Sequence, residues 1–173
     1  FAVGAVERDQ ILPRKVKSGD VLIGLKSSGL HSNGFSLARH VIAKCNIDYT
    51  SKPFSEKTLA EELLTPTRVY VKSCLEAVKT GKVKALSHIT GGGLFENLQR
   101  VISDDLTINI DFNSWQMPKI FDFLQKSGNI KDEEMHRTFN CGIGMILIVD
   151  QNDCDEVLSR LNDEEAIIIG KLQ

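Results

Sequence analysis

Short apolar runs alternate along the chain with stretches that are apolar on one side only. FAVGAVERD, residues 1–9, reads as an opening strand, and a polar connection, ILPRKVKSGD, follows it. VLIGLKSS is mostly apolar and predicts a buried strand from Val21. Ala38, Val41, Ile42 and Cys45 recur at i, i+3, i+4 and i+7, which predicts a helix with Asn33 as its N-cap. Residues 46–64 are polar and interrupted by Pro53, and read as a surface excursion. TPTRVY, residues 65–70, then leads into a helix whose face is Val71, Cys74, Leu75 and Val78, stopped by Gly81. VKALSHI predicts the next strand, and TGGG links it to a helix carrying Leu94, Leu98 and Val101. LTINIDF alternates as a half-buried strand does. MPKIFDFLQKSG predicts a helix between Pro118 and Gly128, with a shorter one, KDEEMHR, behind it. CGIGMILIVD is a strongly apolar strand, Cys154, Val157, Leu158 and Leu161 mark a last helix, and AIIIGKL closes as a strand. The alternation is irregular, and predicts one layered α/β domain over residues 1–173 with a mixed sheet between helices.

Composition narrows the classes. With 173 residues the chain can bury a core without disulfides or a metal. Lys plus Arg is 21 and Asp plus Glu is 23, a net charge of -2, which gives no electrostatic case for nucleic acid or a membrane surface. No apolar run approaches the roughly 20 residues that span a bilayer. The chain begins at Phe1 and lacks the charged start, apolar stretch and cleavage site of a signal peptide, so a fragment of a longer cytoplasmic polypeptide is expected. Cys45, Cys74, Cys141 and Cys154 show no C-x-x-C spacing, and are expected to be free thiols, three of them on apolar helix faces.

Four segments carry candidate chemistry. SSGLHSNG, residues 27–34, joins a buried strand to a helix start, where α/β proteins commonly bind ligands. Ser32 and Asn33 supply polar groups, Gly34 permits close approach, and His31 can hydrogen-bond a phosphate or move a proton. The alternative is a tight turn with Asn33 as its cap. HITGGGLFEN repeats the layout, with Thr90, Gly91, Gly92 and Gly93 between strand and helix, although no G-K-[ST] makes it a P-loop. Its alternative is a tight crossover onto the sheet. In TPTRVY, Thr65 or Thr67 caps a helix with Pro66 in its first turn, which makes Arg68 a phosphate-binding candidate or a solvated arginine. In FNCGIGM, the glycines mark a bulge or close contact, and Asn140 at the strand start is a candidate for reaching a cleft. Trp115 and Met145 read as core, and His40 and His136 as solvated. No metal-ligand cluster is legible.

GDVLIGLKSSGLHSNGFSLAR, LLTPTRVYVKS, ALSHITGGGLFENLQRV and RTFNCGIGMILIV occur in this order. Together they resemble the C-terminal domain of the phosphoribosylformylglycinamidine cyclo-ligase (AIR synthetase) family, over essentially the whole chain. The wording is most similar to the copy within eukaryotic trifunctional purine proteins. The resemblance implies an α+β fold, a three-layer α/β/α domain with ferredoxin-like elements. It implies ATP and Mg2+ as cofactors, small-molecule nucleotide substrates, a homodimeric full enzyme, and an N-terminal ATP-binding domain outside this chain. The implied reaction converts formylglycinamidine ribonucleotide to 5-aminoimidazole ribonucleotide, ADP and phosphate. Carried onto this chain, the motif positions are His31 to Gly34 and Thr90 to Gly93, with His31 the candidate general base. Sister enzymes share the domain type: formylglycinamidine synthase, selenophosphate synthetase and the hydrogenase maturation ATPase. A non-catalytic docking domain is the reading from a different class. His31→Ala is expected to leave folding within about 0.5 kcal/mol, as at a surface site.

Overall fold

The computed structural model describes residues 1, 3–161 and 164–173. Its five strands are β1 (Val21–Lys26), β2 (Val83–His88), β3 (Ile108–Ile110), β4 (Ile143–Val149) and β5 (Ile167–Leu172). Its helices are α1 (Phe35–Lys44), α2 (Leu59–Leu63), α3 (Val71–Lys79), α4 (Gly93–Gln99), α5 (Lys119–Gly128), α6 (Asp132–Thr138) and α7 (Cys154–Ser159). The sheet order is β2-β4-β1-β5-β3, and every neighbouring pair is antiparallel. The expected mixed sheet is therefore corrected. β1 and β2 do run the same way, since both oppose β4, but β4 lies between them. This split β-α-β unit is the ferredoxin-like element. Strand and helix alternate in the sequence whichever strand fills that gap, so the alternation alone does not give the pairing.

Side chains alternate across a strand, and β1 sends successive residues to opposite faces. Leu22 joins Ala85, Ile146, Ile148 and Ile169 on the face covered by Leu94 and Leu98 of α4. Ile23 and Leu25 join Leu147 and Val149 on the other, against Cys74 and Ala77 of α3 and Val157 of α7. β1 and β4 are covered on both faces, which is why they read as continuous apolar runs. A third cluster packs α1, α2, α5 and α6 around Leu30, Val41, Leu63, Phe121, Met135 and Phe139. Asp20, fully buried at the entry to β1, pairs with Lys84 of β2 at 2.5 Å and accepts the Lys17 N–H at 2.9 Å. All four cysteines are free; Cys74, Cys141 and Cys154 are buried and Cys45 is exposed.

Other local expectations are corrected as well. Among its described residues the opening segment forms no strand: their one regular piece is a 3-10 turn at Arg8–Gln10, and Phe1, Val3 and Val6 are exposed. Within the polar 46–64 stretch lies α2. Thr58 caps it, accepting the Glu61 N–H at 3.2 Å while Glu61 accepts the Thr58 N–H at 2.7 Å, so Leu59 and Leu63 can bury. α1 is capped by Gly34 at φ +79°, not by Asn33. α3 begins at Val71 after Tyr70, not at residues 65–67. It buries Cys74 and Ala77, with Tyr70 buried at its N-cap, and leaves Val71 60% and Leu75 55% exposed. Both faces satisfy helical spacing; which one turns inward is set by the sheet beneath. No helix among the described residues is long and apolar enough to cross a membrane.

Candidate functional site

The site begins where β1 ends. His31 sits in the left-handed region at φ +58° and is only 5% exposed. Its Nε2 accepts the N–H of Ser28 at 3.1 Å and that of Arg68 at 3.5 Å. A ring nitrogen that accepts carries no proton, so the neutral imidazole keeps its hydrogen on Nδ1. Nδ1 is buried and has no hydrogen-bond partner. Burial first, then the charges of His88 and Arg68, hold the ring's pKa down at about 4. His31 is thus a neutral, enclosed ring at pH 7. This corrects the expectation of a surface histidine.

The loop is held from beneath by the turn that enters β4. Asn140, 2% exposed, donates from Nδ2 to the Gly29 carbonyl at 2.9 Å. Its Oδ1 accepts the Ser27 hydroxyl and the Gly142 N–H, each at 2.8 Å. These bonds turn the side chain inward, so Asn140 is a clamp on the loop and not a residue reaching into a cleft. A Cβ at Gly34 would enter the Phe139 ring, which explains the glycine there.

Arg68 is corrected too. Its guanidinium meets the Glu164 carboxylate at 2.8 Å and donates from Nη1 to the Lys26 carbonyl at 3.4 Å. Its charge is taken up inside the chain. The surrounding strip faces the loop: Ser28 donates its hydroxyl to the Pro66 carbonyl at 2.6 Å, and Ser32 shares a hydrogen bond with Thr67 at 3.2 Å. Tyr70 is buried, its ring centroid 6.1 Å from that of His31, and its hydroxyl donates to the Lys26 carbonyl at 2.8 Å. Burial pushes that phenol above its ordinary range.

The second glycine loop is organised by Asn97 of α4. Its Nδ2 donates to the carbonyls of Gly93 at 2.7 Å and of Thr90 and Gly91 at 3.3 Å, and its Oδ1 accepts the Thr90 hydroxyl at 3.1 Å. Gly92 (φ +98°) and Gly93 (φ +63°) need left-handed backbone, and a Cβ at Gly93 would collide with the His136 carbonyl. Thr90 and Gly93 are thereby committed to the turn, while Gly91 is exposed. The Asn33 amide oxygen lies 3.7 Å from where a Gly91 Cβ would stand, so the two glycine loops meet edge to edge. His136, expected to be solvated, instead stacks on Phe112 at 4.0 Å and 12°.

The structure brings together His31 to Gly34, Thr90 to Gly93 and, beneath them, Asn140. Arg68 is adjacent, but engaged. Ser32, Asn33 and Gly91 form the accessible edge, and no side chain caps the first turn of α1. Small side chains at an open helix start allow an anionic oxygen to approach main-chain amides. Sequence reading missed Asn97, Tyr70 and Glu164. Asn97 alone left a signal: asparagine is ill suited to a helix interior unless its side chain bonds the backbone. Among the described residues, no group of three His, Cys, Asp or Glu side chains stands close enough to hold a metal ion.

Residues 17–173 match the family model described as AIR synthase related protein, C-terminal domain. The chain is 50% identical to a phosphoribosylformylglycinamidine cyclo-ligase of Bacillus licheniformis, covering 100% of this chain and 51% of that protein. It is 46% identical to the human trifunctional purine biosynthetic protein adenosine-3, covering 99% of this chain and 18% of that protein. The chain thus spans about half the length of the cyclo-ligase relatives it matches. Among solved structures, its fold is similar to E. coli HypE, a hydrogenase maturation protein, with a TM-score of 0.60 at 16% identity over 92% of this chain and 45% of that chain. It is also similar to T. maritima PurL complexed with FGAR, with a TM-score of 0.55 at 11% identity over 96% of this chain and 26% of that chain. The family match and the identity agree with the four ordered motifs and with the ferredoxin-like sheet, and the chain belongs to the AIR synthase related family.

Proposed function

We propose that this chain is the C-terminal part of an ATP-dependent cyclo-ligase. The reaction turns formylglycinamidine ribonucleotide into 5-aminoimidazole ribonucleotide, ADP and phosphate. The observation that carries this reading is the meeting of the two glycine loops at Asn33 and Gly91. They offer phosphate oxygens an edge free of bulky side chains. Ser32 and Asn33 are the groups here that bind and orient, and the amides of the α1 first turn complement negative charge. ATP, when bound, supplies the phosphoryl group that activates the formyl oxygen. His31 is neutral and both N–H groups beside it point at Nε2, so its place is that of a hydrogen-bond donor through Nδ1 and not of a solvent-exposed base.

Residues 27–34 and 90–93 contain no lysine or arginine, so most phosphate charge must be neutralised from elsewhere. In this reading an N-terminal ATP-binding half supplies that charge and the ligands for magnesium, because the donor set of the described residues does not fit a metal. A cytoplasmic homodimer is part of the same proposal. The test is turnover of formylglycinamidine ribonucleotide by a two-domain enzyme carrying this chain, with Asn33→Ala and Gly91→Val beside it. Both variants are expected to raise KM or lower kcat by roughly 10-fold or more while folding normally. Wild-type kinetics in both would remove the glycine edge from the active site.

A further inference from the structure

Glu164 lies in the turn before β5, far along the chain from the residues it touches. Its side chain is 10% exposed, and its carboxylate faces the Arg68 guanidinium at 2.8 Å and receives the Ser73 hydroxyl. A surface ion pair would leave such a carboxylate in water; this one is withdrawn beneath α3. The other end of the guanidinium reaches the Lys26 carbonyl, and Lys26 is tied by its own amine to Glu165 at 2.8 Å. Arg68 is therefore anchored at two points, and its main-chain N–H is aimed at His31 Nε2. Apart from Ser28, no other donor occupies that nitrogen among the described residues.

We propose that Glu164 is a positioning residue for His31: acting through Arg68, it supplies Nε2 with a second donor beside the Ser28 N–H and so strengthens the hold on the ring's hydrogen at Nδ1. The significance for catalysis rests on the cyclo-ligase reading above; the hold on the ring does not. Glu164 touches no ligand in this scheme. The groups that face His31 are Arg68 and Tyr70 from the strip before α3, His88 from β2 and, through Arg68, Glu164 itself. Without the anchor, residue 68 is free to withdraw its N–H. Nε2 then keeps only the Ser28 N–H, and the ring exchanges tautomers more readily.

The test uses the two-domain enzyme with 15N-labelled histidine. Nitrogen shifts of His31 report the tautomer, which a purely structural ion pair would not move. The wild type should show unprotonated Nε2 and protonated Nδ1 throughout pH 5–8. Glu164→Ala should mix the tautomers, seen as a change in both ring-nitrogen shifts. Glu164→Gln keeps an acceptor for the guanidinium and should restore the wild-type pattern, and it also serves if the alanine variant folds poorly. In kinetics, Glu164→Ala should lower kcat/KM roughly 10-fold, and should add nothing in a His31→Ala background. An unchanged tautomer in a folded Glu164→Ala protein overturns the proposal. So does a kinetic loss that multiplies with that of His31→Ala. Wild-type turnover by His31→Ala would instead overturn the role of the loop in the reaction, while the nitrogen shifts still decide whether Glu164 holds the ring.

Discussion

Single residues here are decided by where their polar atoms point. His31 and Asn140 are both legible in the sequence as polar groups beside glycines, yet the structure turns both inward. Sequence shows the residue type and the loop, but the direction of a side chain depends on which carbonyls and amides the fold brings alongside. Removing the His31 ring leaves the N–H groups of Ser28 and Arg68 without their acceptor. His31→Ala is accordingly expected to lower stability by about 1–3 kcal/mol, measured by chemical denaturation. The pH dependence has a definite sign. The folded ring titrates at about 4 against an ordinary 6.5, so between these values the unfolded chain binds a proton that the folded chain refuses. Stability should fall as pH falls through this window, by at most about 1.4 kcal/mol per pH unit from this group. Half-buried His136, lowered by burial, acts in the same direction. In a His31→Asn variant the slope should be visibly shallower; parallel curves for the two proteins would refute the account.

Elements owe their ends to contacts that periodicity does not encode. In sequence the TGGG run reads as a close approach or a crossover; in the structure its glycines are unequal. A Cβ at Gly92 would meet the Glu96 side chain, whose carboxylate can swing away although its Cβ cannot, whereas one at Gly93 would strike the main chain of α6. Gly93→Ala is expected to cost about 2–4 kcal/mol, and Gly92→Ala about 1–2. Thermal unfolding of the pair checks the order, and equal losses would count against it. β1 and β2 are tied at one end by Asp20 and Lys84. Lys84→Met strands a fully buried carboxylate, and a loss of about 3–5 kcal/mol is expected in denaturant unfolding; a loss below 1 would mean that water reaches Asp20. Helices α1, α4 and α5 were legible because each buries one face under strong periodicity. Short α2 was not, since its five residues carry too few apolar positions to stand out from the loop around it.

For the whole molecule, the layered α+β class was legible and the strand pairing was not. Apolar runs identify buried strands, but neighbours in a sheet are chosen by packing over the entire chain. The 173 residues are expected to fold alone and to show no cyclo-ligase turnover by themselves, checked by circular dichroism and by assay of the purified chain. The strand order carries a further consequence for how the protein is made. Central β1 is the first of these five strands in chain order, yet its neighbours are the last long strands, with Val21 opposite Val149 and Lys171. Until β4 and β5 leave the ribosome, a strand apolar on both faces has no edge to join. Contacts between such distant positions form slowly and leave nascent chains prone to associate. A chain stopped before Ile167 should therefore collect as aggregate, and its yield should rise when a holdase chaperone is supplied.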